Sequence, residues 1–205
     1  MKTVTRFIFS ILAIAWLVSC SQKPVKTIEN LKAAYNGEST ASAKYAAFSE
    51  KAKAEGLDTV AVMFLATSKA EAVHAANHNK VLEKLGVKVE GPQIGTFEVL
   101  TTAENVADAK KGETYEIDSM YPGFIAVAKE EKCTDAVKSF TWAIDTEKKH
   151  QAFYGTALSA LNAGGEKSLP VSWFVCPVCG NTYDSATLVA ECDFCMTSKD
   201  KFFSF

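Results

Sequence analysis

The sequence predicts a mainly helical protein, with a four-helix bundle followed by a small β-rich lobe organised around four cysteines. Three observations support this fold class. A Glu-x-x-His motif occurs twice, the residues around each copy repeat in register, and two Cys-x-x-Cys motifs lie close together near the C-terminus. Carboxylates and imidazoles at helical spacing are typical of metal sites inside helix bundles, whereas paired cysteine motifs are typical of small metal-organised lobes.

The repeated motif reads Glu71-Ala-Val-His74 in the first half of the chain and Glu147-Lys-Lys-His150 in the second. Residues three apart share one face of a helix, so the carboxylate and the imidazole of each motif can reach one metal ion. An ordinary charged helix surface would explain a single copy. Two copies in matched surroundings favour a metal site, because a cluster of buried carboxylates is costly unless a cation balances it.

The surroundings of the two motifs repeat at the same interval. A Gly-Glu pair precedes each motif, ending at Glu38 and at Glu113, and a Tyr-x-x-Phe follows each pair. Tyr45 and Tyr121 each stand 26 residues ahead of the glutamate of their motif. Two helices that each give one Glu, and two that each give a Glu-x-x-His, supply the ligand set of a four-helix di-iron carboxylate bundle.

The second half of the repeat contains one extra residue. Glu38 and Tyr45 are seven residues apart, whereas Glu113 and Tyr121 are eight residues apart. One inserted residue within a helix predicts a π-bulge, a feature that often lies at functional sites. We expect such a bulge to turn Glu116 toward the metal ions.

Hydrophobic residues recur at helical spacing along most of residues 25–164, which we expect to form the bundle. Glycine and proline interrupt the pattern over residues 87–102, which predicts a long crossover between the second and third helices. The periodicity predicts helices at about residues 25–56, 58–85, 103–131 and 134–161.

Two further residues in the bundle could bind metal or react, but their context argues against it. His78 lies one turn beyond His74 but has no counterpart in the second half of the chain. We therefore expect it at the surface or behind the ligands rather than on a metal ion. Cys133 lies at the turn between the last two helices and is expected to be a buried or half-buried thiol.

The C-terminal lobe, residues 170–205, is too short to form a large core of its own. A predicted strand at residues 171–175 leads into the first cysteine motif. Two disulfides are the alternative to a metal, particularly in an exported chain. The spacing favours a tetrahedral four-sulfur site for iron or zinc, formed by Cys176, Cys179, Cys192 and Cys195.

Residues 1–20 are predicted to be a targeting segment. Two basic residues precede an apolar run of 13 residues, Phe7 to Ser19, which is short for a membrane span. The run ends in Leu-Val-Ser-Cys20, which resembles a bacterial lipobox. That resemblance implies cleavage before Cys20, lipidation of its thiol and membrane tethering on the periplasmic side. An uncleaved anchor, a buried first helix and a cytoplasmic location are the alternatives.

The overall composition is that of an ordinary globular protein. Its 205 residues are enough for one medium-sized domain and a small second one. The hydrophobic share is 48%, which suits a normal core, and the net charge is only −2 with no basic stretch. We therefore expect no nucleic-acid partner.

The order of these parts resembles the rubrerythrin family, in which a ferritin-like di-iron bundle precedes a rubredoxin-like lobe. Asn181 and Thr182 depart from the family, which usually has tyrosine directly after the Cys-Gly of the first cysteine motif. Asp193-Phe194, within the second cysteine motif, also stands where the family commonly has proline. The resemblance covers about residues 26–205 and rests on Gly37-Glu38-Ser39, Glu71-x-x-His74, Gly112-Glu113-x-x-Glu116, Met120-Tyr121-Pro122, Glu147-x-x-His150 and the two cysteine motifs.

The resemblance implies which residues bridge the two irons and which hold the first of them. Glu71 and Glu147 would bridge the two iron ions. Glu38 would hold one iron together with either Glu116 or His74, depending on the redox state.

The resemblance also implies the second half-site and the sulfur site. Glu113 and His150 would hold the other iron, while Tyr45 and Tyr121 would hydrogen-bond to the carboxylates. One further iron would be held by the four cysteines at positions 176, 179, 192 and 195.

The activity that the resemblance implies is that of a non-haem di-iron peroxidase, an oxidoreductase active against oxidative stress. It would reduce hydrogen peroxide to water with electrons relayed from an unidentified reductase through the four-cysteine iron. A homodimer is implied, with the lobe serving the partner's bundle, although the linker is also long enough to reach its own. The alternative function is a ferroxidase or iron-handling bundle with a structural zinc knuckle.

Overall fold

The computed structural model describes residues 23–205, so the predicted targeting segment and Cys20 lie outside the described residues. Within residues 23–205, no helix is both long and apolar enough to span a bilayer. The main elements are α1 Val25–Ala54, α2 Asp58–Lys84, α3 Thr102–Tyr115, α4 Tyr121–Glu130, α5 Thr134–Asn162, β1 Trp173–Val175, β2 Thr182–Asp184 and β3 Phe203–Ser204.

The helical part is a four-helix bundle, because α3 and α4 continue one another as a single long helix. The four predicted helices are confirmed, and each end lies within two residues of its predicted position. A tight turn at Gly56, which has a φ of +75°, reverses the chain between α1 and α2. Residues 85–101 cross the bundle without a helix or strand, which confirms the predicted crossover.

A π-helix over Glu116–Met120 joins α3 to α4, so the predicted bulge is confirmed. It takes up the extra residue of the second half. As a result, Glu113 before it and Tyr121 after it are both buried in the bundle, at 1% and 0% exposure. Pro122 follows at the start of α4, where the regular ladder of helical hydrogen bonds has already been interrupted.

The hydrophobic core of the bundle is divided into two clusters. One contains Phe48, Phe64 and Tyr154, and the other contains Leu31 and Phe140. Along each helix, the residues of the Glu-x-x-His and Gly-Glu motifs fall between the two clusters. The bundle therefore has two apolar ends and a polar middle layer.

The C-terminal lobe contains a three-stranded antiparallel sheet in the order β2-β1-β3. The predicted strand is confirmed, although it begins at Trp173 rather than at residue 171. The lobe packs against the bundle of its own chain. The rings of Phe153 and Trp173 lie 4.7 Å apart, and Asn77 Nδ2 donates a hydrogen bond of 2.8 Å to the carbonyl oxygen of Val178.

Candidate metal centres

Six buried side chains in the polar layer form two overlapping groups of possible metal ligands. Every one of them is at most 1% exposed, and in each group the ligand atoms all lie within 4.8 Å of one another. Two carboxylates belong to both groups, as expected for two neighbouring cations joined by shared ligands. The first group is Glu38, Glu71, His74 and Glu147, and the second is Glu71, Glu113, Glu147 and His150.

The two histidines face the shared carboxylates in the same way. His74 Nδ1 lies 3.0 Å from Glu71 Oε2 and 2.9 Å from Glu147 Oε1. His150 Nδ1 lies 3.1 Å from Glu71 Oε1 and 2.9 Å from Glu147 Oε2. Each imidazole therefore meets one oxygen of each shared carboxylate, so the sequence repeat reappears as an approximate two-fold arrangement of ligands.

The carboxylate oxygens and imidazole nitrogens of this layer are arranged to bind cations rather than to hydrogen-bond to one another. Some of these atoms lie within 3.1 Å of an imidazole nitrogen but do not lie along an N–H direction. Within the described part of the chain, no directed hydrogen bond is made by Glu38 Oε2, Glu71 Oε1, both Glu147 carboxylate oxygens or His150 Nδ1. Polar atoms that are buried without partners are expensive, so an arrangement of this kind is stable when a cation takes the place of the missing donors. Carboxylates and imidazoles in a helix bundle are the ligands of di-iron sites.

The pKa values show how strongly the buried charges depend on each other. Burial raises the pKa of Glu38 and of Glu113 well above the usual range, and neighbouring carboxylates raise both further. Burial alone would lower the pKa of His74 and of His150. The carboxylates, Glu147 for His74 and Glu71 for His150, outweigh it and raise the values to about 10 and about 9. In the absence of metal, protons supply the balancing positive charge.

Two tyrosines hold the carboxylates that are not shared. Tyr45 donates a hydrogen bond of 2.7 Å to Glu113 Oε1, and Tyr121 donates one to Glu38 Oε1. Both tyrosines are buried, at 2% and 0% exposure. The hydrogen bonds that the family resemblance implied are therefore present in the structure, one on each side of the layer.

Glu116 lies beside the cluster but belongs to neither group of ligands found among residues 23–205. It is half-buried on the π-helix, and burial together with Glu147 and Glu71 raises its pKa well above the usual range. The structure therefore groups Glu38 with His74, which is one of the two arrangements that the resemblance implied.

His78 is the residue that sequence reasoning understood least. It is fully buried, so a surface position is wrong and the alternative position behind the ligands is correct. Its Nε2 lies 3.1 Å from the Tyr121 hydroxyl, and its Nδ1 lies 2.8 Å from Ser139 Oγ. Its place one helical turn after His74, on the same face of α2, was the available signal.

The four cysteines of the lobe converge on a single point, because their sulfur atoms all lie within 4.8 Å of one another. Two of the sulfur pairs are 3.5 Å and 3.4 Å apart, well beyond the ~2.05 Å of a disulfide bond, and all four cysteines are free thiols. A four-sulfur cluster of this kind can hold one iron or zinc ion. The pairs are Cys176 with Cys195 and Cys179 with Cys192.

A residue that departs from the family pattern links the sulfur cluster to the bundle. Asn181 Nδ2 lies 3.7 Å from Cys192 Sγ and donates to the Tyr183 hydroxyl at 2.7 Å. Asn181 Oδ1 accepts a hydrogen bond of 2.7 Å from Lys149 Nζ on α5. Hydrogen bonds and charges beside the sulfurs tune the potential of such a site, so Asn181 and Lys149 are placed to influence it.

The lobe meets the polar layer directly at the far side of the two imidazoles. Thr182 Oγ1 lies 2.9 Å from His150 Nε2. Gly180 has a φ of +84°, and a Cβ atom there would lie only 2.3 Å from His74 Nε2. Each imidazole therefore turns Nδ1 to the carboxylates and Nε2 to the lobe, and only glycine fits at position 180.

The raised pKa values predict how the metal-free chain responds to pH. Both histidines have folded-state pKa values above the ordinary 6.5, so their contribution to stability is complete below pH 6.5 and is lost as the pH rises through 9 to 10. Glu38 and Glu113 act in the same direction, because the folded chain prefers their protonated forms. The unfolding free energy of the metal-free chain should therefore fall between pH 7 and pH 10.

Denaturant unfolding of the chelator-treated chain at several pH values measures this slope. The double variant His74→Gln/His150→Gln is the matched control and should show a smaller slope. Metal loading should reduce or reverse it, because cations stabilise the deprotonated ligands. A metal-free wild type that becomes more stable from pH 7 to pH 10 would contradict the assignment.

Comparison with known proteins agrees with this geometry. Residues 29–158 match the family model described as Rubrerythrin. Nigerythrin from Nitratidesulfovibrio vulgaris strain Hildenborough is 33% identical over 176 residues, which covers 86% of this chain and 85% of that protein. A rubrerythrin from Porphyromonas gingivalis strain W83 is 31% identical over 181 residues, which covers 85% of this chain and 88% of that protein.

A solved structure of nigerythrin in its fully reduced, all-ferrous state is also similar. It superposes with a TM-score of 0.78 at 32% identity, covering 87% of this chain and 86% of that one. The carboxylate–histidine layer corresponds to the di-iron site of the matched family, and the four-cysteine cluster is a second place that can hold iron. A family match over more than half of the chain, with relatives aligned across most of their length, shows that the chain belongs to the rubrerythrin family.

Proposed function

We propose that the chain is a non-haem di-iron peroxidase that reduces hydrogen peroxide to water, with electrons delivered one at a time through the four-cysteine iron. The observation that carries the proposal is the direct contact between the two centres at Gly180 and Thr182. A structural zinc knuckle has no need of such a contact with the two imidazoles. The contact therefore favours the peroxidase over an iron-handling bundle with structural zinc.

Glu38, Glu71, His74, Glu113, Glu147 and His150 would hold two ferrous ions, whose oxidation to the ferric state would supply the two electrons that the reduction of one peroxide molecule requires. The protein side chains hold and shield them. Glu71 and Glu147 keep the two positions adjacent because each carboxylate is shared between both groups. Tyr45 and Tyr121 fix the two remaining glutamates through hydrogen bonds, which limits the ways in which the ligands can rearrange.

The apolar ends of the bundle keep water away from the polar layer. On one side, the Tyr45 ring lies 6.0 Å from Phe64 and 5.6 Å from Tyr154. On the other side, the Tyr121 ring lies 5.9 Å from Phe140. Charges in a dry, packed environment interact more strongly than in water, so these rings strengthen the hold of the carboxylates on cations.

The contact between the lobe and the bundle supports a role for the lobe in electron delivery. A four-sulfur iron changes its charge by one electron at a time, so two transfers are needed for each peroxide. Cys179 is followed directly by Gly180, whose backbone lies against His74. We infer that an unidentified reductase supplies the lobe, that the chain acts as a homodimer, and that the lobe serves the bundle against which it packs.

Two complementary variants test the function. Glu147→Ala removes a carboxylate that both groups share, so we expect a sharp loss of bundle iron and of peroxide reduction, with the four-cysteine iron retained. Cys179→Ser should still reduce one equivalent of peroxide after chemical pre-reduction but should lose sustained turnover with a reductase. Iron analysis, the visible spectrum and both rate measurements distinguish the two defects.

Opposite outcomes are equally clear. Full turnover and two bundle irons in Glu147→Ala would show that the ligands are wrongly assigned. Unchanged sustained turnover in Cys179→Ser would show that electrons do not enter through the lobe. A colourless four-cysteine site that contains zinc, with iron oxidation but no peroxide reduction, would favour the iron-handling alternative.

The contact at Gly180 generates a separate prediction. Gly180→Ala places a Cβ atom against His74 Nε2 and should push the lobe away from the bundle. A displaced lobe lengthens the path between the two centres, so we expect sustained turnover to fall with both metal sites still loaded. Peroxide reduction by the chemically pre-reduced protein should be unaffected.

Gly164→Ala is the matched control. Gly164 also has a positive φ, of +68°, but a Cβ atom there would meet nothing within 4 Å. It therefore reproduces the backbone strain without the clash. Equal turnover losses in the two variants would mean that strain, rather than the contact between the centres, limits the rate.

We further propose that the mature chain begins at a lipidated Cys20 and works on the periplasmic side of a membrane. The support is the lipobox-like sequence after a short apolar run. Several acyl chains, unlike one, anchor a protein stably. After fractionation of cells that express either the wild type or Cys20→Ala, we expect the wild type, but not Cys20→Ala, in the membrane fraction. Wild-type protein found in the cytoplasm with residues 1–19 still attached would overturn the proposal.

A further inference from the structure

His78 is a buried titratable residue that neither metal group uses. It lies on α2 between Tyr121 and Ser139, with its ring 5.3 Å from the ring of Phe140. Burial lowers its pKa to about 3, so the ring is neutral and carries a single N–H. A neutral imidazole has one donor and one acceptor, and the structure uses both nitrogens.

The neighbours of His78 decide which nitrogen carries the proton. Tyr121 has one hydroxyl proton, which it donates to Glu38. With Glu38 ionised as a ligand, the Tyr121 oxygen can only accept a hydrogen bond from His78 Nε2. The proton of the ring is therefore on Nε2, and Nδ1 accepts from the Ser139 hydroxyl. The result is a directed chain of three hydrogen bonds from Ser139 to Glu38.

The other half of the site has no equivalent chain. Tyr45, the counterpart of Tyr121, donates to Glu113 but lies among Phe48, Phe64 and Tyr154, and its hydroxyl receives no donor among the described residues. The two metal positions, which are related by the sequence repeat, are therefore supported differently. Only the side of the layer that holds Glu38 has a histidine that donates to its tyrosine, among the residues that the structure describes.

We propose that His78, oriented by Ser139, is a positioning residue that obliges the Tyr121 hydroxyl to donate to Glu38 and so fixes this carboxylate at its metal position. The inference rests on the proposed di-iron function of the layer. If His78 carried its proton on Nδ1 instead, Nε2 would accept from Tyr121 and compete with Glu38 for the one hydroxyl proton. Ser139 supports the Nε2-protonated form because its hydroxyl can donate to Nδ1 and satisfy the free lone pair there.

Replacement of His78 tests the proposal through iron binding. His78→Leu removes the donor to Tyr121, and we expect about tenfold weaker iron binding at the Glu38 position, equivalent to ~1.4 kcal/mol. The Glu113 position should keep its affinity. His78→Gln can still present an N–H to Tyr121, so it should restore most of the binding. Titration of the metal-free full chain with ferrous iron measures both positions, and the iron in the sulfur site is counted separately by its visible absorption after oxidation to the ferric form.

A double-variant cycle separates positioning from packing. In a Tyr121→Phe background no hydroxyl remains to be oriented, so His78→Leu should have no further effect on iron binding. If the two losses add, His78 acts through packing and the proposal is wrong. Ser139→Ala should weaken binding less than His78→Leu. Ser49→Ala, which also removes a buried serine hydroxyl, with a 2.7 Å bond to Ala61 O, should leave iron binding unchanged.

Nitrogen NMR of the zinc-loaded full chain, which is diamagnetic, gives a readout that does not depend on activity. The proposal requires the proton of His78 on Nε2, and a proton on Nδ1 or on both nitrogens overturns it. Unchanged iron binding in His78→Leu, beside a wild type that binds two irons, overturns this inference alone. A wild-type bundle that binds no iron overturns the proposed function and this inference together.

Discussion

The central constraint on this protein is the burial of four carboxylates and two imidazoles in the middle of a helix bundle. Isolated charges are very costly to bury, and carboxylates within a few ångströms of each other also repel. Such a layer is stable only when positive charge is present, from metal ions or from protons on the histidines. The raised pKa values of His74 and His150 are the metal-free form of the same requirement.

Much of the remaining structure serves this layer. The aromatic and aliphatic clusters on either side keep water out, the tyrosines restrict the carboxylates, and the π-helix brings Glu113 and Tyr121 to the interior together. Gly180 and Thr182 of the lobe contact the two imidazoles directly, so only these histidine side chains separate the lobe from the carboxylates. In the proposed function, iron binding and electron delivery would therefore involve the same pair of histidines.

Local sequence patterns predicted most of the fold and most of the site, because the relevant information is periodic. Helix ends followed from hydrophobic spacing, and the π-helix followed from counting one extra residue before Tyr121. The pairing of His78 with Ser139 could not be predicted, since the two residues are 61 positions apart and meet only through the packing of α2 on α5. The position of Glu116 outside both ligand groups depends on the rotation of the π-helix, which sequence spacing does not define.

The division of the core into two apolar clusters has a consequence for how metal enters and leaves. Regions of a protein open locally with different free energies, and an opening is least costly where few apolar contacts are lost. In the metal-free chain, the helices are held together at both ends by Phe64 and Tyr154 on one side and by Leu31 and Phe140 on the other, while the charged middle contributes least. Local opening confined to this middle layer would admit an ion without global unfolding. The rate of metal exchange and the global stability of the bundle would then be set by different parts of the structure.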